Sequence, residues 1–596
     1  MLRSFQSRIF PVLSLLVLVS MLAACVAPAA GPAAPAAEAA ATEAPAAEAA
    51  PAAADAMTTI YGETLPEDAL PYEQQVSYSS CANNTSASTF DFQVAVYNRY
   101  CLSDNFSDPL TELDKDFNVT PGAAESWEAS EDGLTWSFHL RPGQVWSDGT
   151  PVTAHDWVAT YQYLAQPDHA WDFAWFYNGV IKNWEEVIAG ELPPEELGVA
   201  APDDLTFQIT TQKPFPPMPG MMKFGWTLQK KALEEHGPMY NSDPATHVSS
   251  GPFTLETFEP GKTITLVANP TYKGYRPPRL KRLVGIYMDP GTEFAAFQKG
   301  EIDSVGYESL SPADLELVLQ DPVLKENYLR HFGDFRTDYL LFDTFNPPFD
   351  NIDVRKAFAH AVDRESIVTN VYGEVKAMPA YAMLMPGFPS SSTKGELNEY
   401  QKYDCDLAKE HLTTAGYPDG KDFPQLELWL RNENAALQAV FQAVAASISQ
   451  CLNVQIEVSN KDRKVYTDAM NAKPTQLQFG AVSYGMDYLD PTNMLGIWVF
   501  GGRHSWKNDE FDRLINEATP LVSDPALRDQ MFRDAEKILV DDVGGVFLVH
   551  RWQGTLYQPW VQGSCLREPD SIGIAGLHWG NDSCGSEQYI STAKQQ

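Results

Sequence analysis

From Leu134 to Leu140 the chain reads Leu-Thr-Trp-Ser-Phe-His-Leu, apolar and polar in strict alternation. That period of two predicts a strand with one buried face, bounded by the turns Glu131-Asp132-Gly133 and Arg141-Pro142-Gly143. Thr153 is placed to cap a helix starting at Ala154, with Asp156 as a first-turn acid and His155 exposed beside it. Phe253 to Phe258 and Thr263 to Val267 predict a hairpin around Glu259-Pro260-Gly261-Lys262. Gly261-Lys262-Thr263 is not a phosphate loop, because position 256, where that motif needs glycine, is Glu. Further on, helical periods take over. Asp353 is expected to cap a helix with Val354, Phe358, Ala361, Val362 and Ile367 on one face. A second helix runs from Asp406 to Ala415 and stops at Gly416 and Pro418. A third begins at Asp524-Pro525, with Leu527, Met531, Ile538 and Leu539 as its core face, and leads into a buried strand over Gly544 to Val549. Strands and helices alternate without an internal repeat, so the fold class is α/β.

The N-terminus has a different pattern. Arg3 and Arg8 precede an almost wholly apolar run from Ile9 to Leu22, shorter than the roughly 20 residues a spanning helix needs. It ends in Leu22-Ala23-Ala24-Cys25, small residues before a cysteine, as in the lipobox of bacterial lipoproteins. That likeness implies a signal peptide over residues 1–24 and lipidation of Cys25. Residues 25–56 are then nearly all Ala, Pro, Glu and Gly, too poor in apolar surface to offset the entropy of folding, and read as a tether. With Cys25 set apart, Cys81, Cys101, Cys405, Cys451, Cys565 and Cys584 remain. Sequence cannot choose among their pairings, but their clustering suggests neighbours in chain order, each pair a staple suited to an oxidising compartment. The loop between Cys405 and Cys451 would contribute ~4 kcal/mol in the chain-entropy model.

Charge and motif content narrow the function. Lys and Arg number 42 against 79 Asp and Glu, a formal net charge of −37, which repels phosphate backbones and makes nucleic acid a poor partner. The chain has no His-Glu-x-x-His, no Gly-x-Ser-x-Gly and no C-x-x-C. No two histidines stand at i, i+4 spacing. No enzyme, cofactor or metal site is expected. A chain of 596 residues exceeds one hydrophobic core and predicts two or three lobes.

Ordered blocks along the body resemble one family. They include Pro121-Gly122-Ala123-Ala124-Glu125-Ser126-Trp127, Trp146-Ser147-Asp148-Gly149-Thr150-Pro151, Gly251-Pro252-Phe253 and Asn269-Pro270-Thr271-Tyr272. Lys299-Gly300-Glu301-Ile302-Asp303, Ala361-Val362-Asp363-Arg364 and Asp487-Tyr488-Leu489-Asp490-Pro491 follow in the expected order. They are similar to the extracellular solute-binding proteins of family 5, which serve peptide, nickel and related ABC importers, over residues from about 85 to about 565. The resemblance implies a bilobal periplasmic-binding-protein-like fold (type II, large peptide-binding class) with an inserted subdomain. By that analogy lobe I takes residues 57–110, 244–336 and 553–596, the insert 111–243, and lobe II 337–552, with two or three crossing strands as hinge. The partners implied are permease subunits, a ligand between the lobes and the membrane through the lipid anchor, with the protein itself a monomer.

The resemblance also points to a site. In peptide-binding relatives an aspartate within Trp-x-Ala-Asp-Tyr pairs with the peptide's α-ammonium, and the matching stretch is Tyr484-Gly485-Met486-Asp487-Tyr488. Asp487 is therefore the expected ligand carboxylate, although Tyr484 stands for Trp and Met486 for Ala. Gly485 would let a peptide backbone approach. Trp498, Trp506 and Tyr484 are candidate pocket aromatics, and Arg503 could pair a carboxylate. The run Trp171-Asp172-Phe173-Ala174-Trp175-Phe176-Tyr177 either lines a pocket or fills the core of the insert. The Leu-Asp-Pro often found near the family's N-terminus is replaced by Tyr78-Ser79-Ser80-Cys81. An oligopeptide is the leading ligand, an oligosaccharide the alternative, and a metal chelate the third.

Overall fold

The computed structural model describes residues 55–81, 101–114, 118–169, 171, 173–289, 291–392, 394–433, 435–563, 566 and 583–595. The expected signal peptide, Cys25 and the expected tether up to Ala54 lie outside the described residues, as do Cys565 and the side chain of Cys584. Cys81 is bonded to Cys101, and Cys405 to Cys451.

The largest sheet has six strands in the order Ala377–Pro379, Gly545–Arg551, Thr337–Phe342, Phe479–Tyr484, Leu426–Arg431 and Ile456–Lys461. Its central strands Thr337–Phe342 and Gly545–Arg551 are buried along their whole length. Both faces are covered, so Tyr339 to Phe342 and Val546 to Val549 are continuous apolar runs without alternation. Tyr339, Leu341, Val482 and Phe547 face one core cluster. Their neighbours Leu340, Phe342, Ala481 and Val546 face the other. The second body holds a four-stranded sheet over Val76–Ser80, Arg282–Ile286, Thr263–Ala268 and Phe253–Glu259. A three-stranded sheet, with Gln553–Tyr557 between Ser304–Gly306 and Tyr328–His331, lies on the same side. A further four-stranded sheet, Ala124–Ala129, Thr135–Leu140, Thr206–Thr210 and Val199–Asp203, supports the segment from 118 to 243.

Two connections join the three-stranded and six-stranded sheets. Tyr328–His331 passes through residues 332–336 into Thr337–Phe342, and Gly545–Arg551 returns through Trp552 into Gln553–Tyr557. The two stay side by side throughout: His331 pairs with Gln553, the Arg551 amide donates to the Arg336 carbonyl at 2.8 Å, and Thr337 pairs with His550.

Local chemistry accounts for most element ends. Thr153 precedes the helix Ala154–Leu164, and the Asp156 carboxylate accepts its backbone N–H at 2.9 Å. His155 is exposed, 3.4 Å from Asp204. Asp404 caps Cys405–Thr414, and Gly416 beyond it holds φ +98°, the left-handed region that ends a helix cheaply only at glycine. Asp524 caps Pro525–Asp541 by accepting from the Leu527 amide at 3.0 Å.

Three expectations need correction. Asn351, not Asp353, caps Ile352–His360, accepting from the Asp353 amide at 2.9 Å, while the Asp353 carboxylate turns to His411 Nδ1 at 2.8 Å. Ile367 belongs to a separate turn, Arg364–Ile367, because Asp363 starts a new helix by accepting from the Ser366 amide. Leu527 is 49% exposed, since the first turn of its helix projects past the core that Met531, Phe532, Ala535 and Leu539 fill.

Candidate functional site

The site forms where the strand Phe479–Tyr484 ends. Tyr484 pairs across the sheet with Thr337, which pairs on its other side with His550, so this row lies where both connections leave the sheet. The next residues, 485 to 490, make an irregular loop closed by the helix Pro491–Gly496. Asp490 caps that helix, accepting from the Thr492 amide at 2.9 Å and from Arg528 Nη2 at 2.9 Å on both oxygens. With the helix fixed, Asn493 in its first turn reaches back: its Oδ1 accepts the Asp487 amide at 2.8 Å.

Asp487 is thereby oriented through one oxygen. Its Oδ2 accepts from the Tyr484 hydroxyl at 2.7 Å and from Asn493 Nδ2 at 3.2 Å. Among the described residues nothing donates to Oδ1, and no cation lies within salt-bridge distance. Burial pushes the carboxyl's pKa up, opposed by the Tyr484 and Asn493 hydrogen bonds and by the charges of Lys223 and Arg503. A carboxylate held on one side and open on the other is suited to an ammonium, since charge-assisted hydrogen bonds strengthen as water is removed.

The other predicted residues divide. Tyr484 belongs to the site. Arg503 stacks on it, guanidinium carbon 5.6 Å from the ring centroid. Met486 is buried in the core cluster of Tyr339, Val482 and Phe547. Trp498 is wholly buried against Tyr339, His504 and Phe547, and so is core rather than cleft wall. Trp506 is likewise buried, its Nε1 donating to Asp542. Gly485 has a use other than the expected one: a Cβ there would stand 1.9 Å from an Asp334 carboxylate oxygen. Its missing side chain admits the crossing segment, not a peptide. Of the aromatic run, Trp171, Phe173, Phe176 and Tyr177 are buried core and Trp175 is 40% exposed. Asp172 lies outside the described residues.

Sequence reasoning missed three participants. Asn493 was legible only as the third residue of a capped helix. Tyr488 sits between Phe176 and Phe215, centroids 6.1 and 6.0 Å away, and ties the loop to the opposite lobe. Lys223, in the turn Met222–Phe224, faces Asp487 from that lobe. No pattern signals a lone lysine in an apolar stretch as functional. A separate cavity of about 300 Å³, lined by Met378, Tyr381, Leu384, Leu397 and His550 among others, contains none of these residues. Among the described residues no group of three or more His, Cys, Asp or Glu could hold a metal ion.

Two lobes joined by paired crossing strands, with an oriented and open carboxylate at the crossing, define a solute-binding protein of the kind that closes over its ligand. The model of the bacterial extracellular solute-binding proteins, family 5, matches residues 118–506, and the chain belongs to that family. It is 30% identical over 491 residues to the periplasmic oligopeptide-binding protein OppA of Salmonella typhimurium, covering 80% of this chain and 88% of that one. It is 28% identical over 470 residues to a probable deoxycholate-binding periplasmic protein of Escherichia coli, covering 77% and 85%. A crystal structure of a periplasmic oligopeptide-binding protein from Borrelia burgdorferi has the same fold, with TM-score 0.67 at 23% identity over 87% of this chain and all of that one. The chain is thus an extracytoplasmic substrate-binding protein of an ABC importer, a binding protein rather than an enzyme.

Proposed function

We propose that the ligand is an oligopeptide whose α-ammonium is held by Asp487. The observation that carries this reading is the carboxylate's asymmetry, Oδ2 fixed by Tyr484 and Asn493 and Oδ1 open. The names of relatives, oligopeptide-binding among them, support it. The oligosaccharide alternative loses its basis, because Trp498, Trp506 and most of the aromatic run are core. Lipidation at Cys25 and a tether to residue 56 complete the reading and rest on sequence alone. The lobe boundaries rest on the family resemblance, and the two crossings near residues 332–336 and 552 support them.

Thermal unfolding against peptide and oligosaccharide panels tests it. A ligand at a hundred times its Kd adds about 2.7 kcal/mol, visible as a raised midpoint. Peptides with a free amine are expected to raise the midpoint more than their N-acetylated forms, and Asp487→Asn to remove that difference. The reading fails if only sugars shift the midpoint, or if the variant keeps the preference for a free amine.

A further inference from the structure

A cation of the opposite lobe lies within electrostatic reach of Asp487: Phe224, next to Lys223, packs on Phe176, which packs on Tyr488, next to Asp487. Lys223 is only 7% exposed, yet among the described residues its ammonium makes no hydrogen bond and no salt bridge. Among the described residues its one ring contact is Phe224, with Nζ 5.3 Å from the centroid. The charges around it are Glu112, Asp487 and Asp334. Two of these are engaged elsewhere. Asp334 pairs with Arg336 and accepts from Gln553. Glu112 accepts from its neighbour's amide at 3.0 Å and from the Tyr275 hydroxyl at 3.3 Å, and its burial favours the neutral acid. Glu112 is the largest of these charges on Lys223; Asp487 follows it, and its Oδ1 accepts from nothing among the described residues. Arg503, stacked on Tyr484 and also without a salt bridge among the described residues, is a second cation whose charge reaches Asp487.

The carboxylate that would hold an ammonium is therefore flanked from both lobes by an unpaired cation. A lone ammonium brought here would add a positive charge beside Lys223 and Arg503, in a site from which closure excludes water. Unpaired like charges are strongly unfavourable there. A ligand that brings an anion beside its ammonium removes the imbalance. We infer that Lys223 binds an acidic group placed next to the ligand's ammonium, so that the preferred peptides begin with Asp or Glu. This deepens the peptide reading and rests on it.

Calorimetric titration of the purified protein with Glu-Ala-Ala, Ala-Ala-Ala and Lys-Ala-Ala tests the inference. Wild type is expected to bind the acidic peptide about tenfold tighter than the neutral one, with the basic peptide weakest. Lys223→Met should erase the acidic advantage, with Ala-Ala-Ala bound at least as tightly as by wild type, and Lys223→Arg should preserve the order. Lys223→Gln serves the same test if the methionine variant does not fold. Equal affinities in wild type, or an acidic preference that survives Lys223→Met, overturn the assignment and leave the peptide reading intact. If no tripeptide binds wild type while sugars or bile acids do, both readings fall together.

Discussion

At the scale of single residues, Glu536 shows how burial sets chemistry. It lies inside the helix Pro525–Asp541, 1% exposed, and accepts the Leu384 amide at 2.7 Å. Among the described residues it has no basic partner, and burial pushes its pKa up from 4.5 to about 8. Between those values the folded chain holds a proton that the unfolded chain releases, so this group makes stability fall as pH rises through that window. The slope is about 1.4 kcal/mol per pH unit. Glu536→Gln keeps an acceptor for the amide and removes the ionisation. Chemical denaturation at about pH 5 and about pH 8 should show a smaller loss for the variant than for wild type, with the variant the more stable at the higher pH. Equal losses would mean that the carboxyl ionises normally. Nothing in the sequence marks Glu536 as buried, because a glutamate in a helix is ordinarily solvated. Asp487 was legible only through its motif, since the residues that orient and face it come from a later helix and from the other lobe.

Elements were legible where side chains act on their own neighbourhood. The alternation over 134–140 gave the strand Thr135–Leu140, and proline after Asp524 marked a helix start. The reading failed where two local choices compete. Asn351 and Asp353 both suit a cap, and the choice falls to Asn351 because His411, from a distant helix, draws the Asp353 carboxylate away. Gly485 failed for the same reason: the contact that requires it comes from the crossing segment. The Met486 amide donates to the Asp334 carbonyl at 2.7 Å, and the Asp334 carboxylate lies over Gly485 and pairs with Arg336. The loop holding Asp487 is thus keyed to the connection between lobes. Gly485→Ala must displace Asp334, at a cost of about 1–3 kcal/mol for overpacking. The expected result is a lowered thermal midpoint together with weaker ligand binding. Unchanged affinity in a destabilised variant would separate the loop from the crossing.

For the whole molecule, two opposing terms govern closure. Bringing the lobes together seats Tyr488 between Phe176 and Phe215 and places Leu113 in the core cluster of Tyr484 and Met486. Each such side chain contributes about 1.5–3 kcal/mol. The same movement takes Lys223 out of water and leaves Asp487 and Arg503 half-buried, none of them with an ion-pair partner among the described residues, at several kcal/mol per fully buried ion. The terms are of similar size, so a ligand that neutralises those charges decides the equilibrium through its differential affinity for the closed form. Small-angle scattering should therefore give a larger radius of gyration for the free protein than for the peptide-saturated one. Removing the charges in Lys223→Met with Asp487→Asn should let the free chain close, moving its radius towards the saturated value while abolishing the response to peptide. If the double variant stays as open as free wild type, stranded charge is not what holds the lobes apart. The opposing term would then lie in the crossing strands, where Arg551 and Asp338 form a buried ion pair 2.8 Å apart.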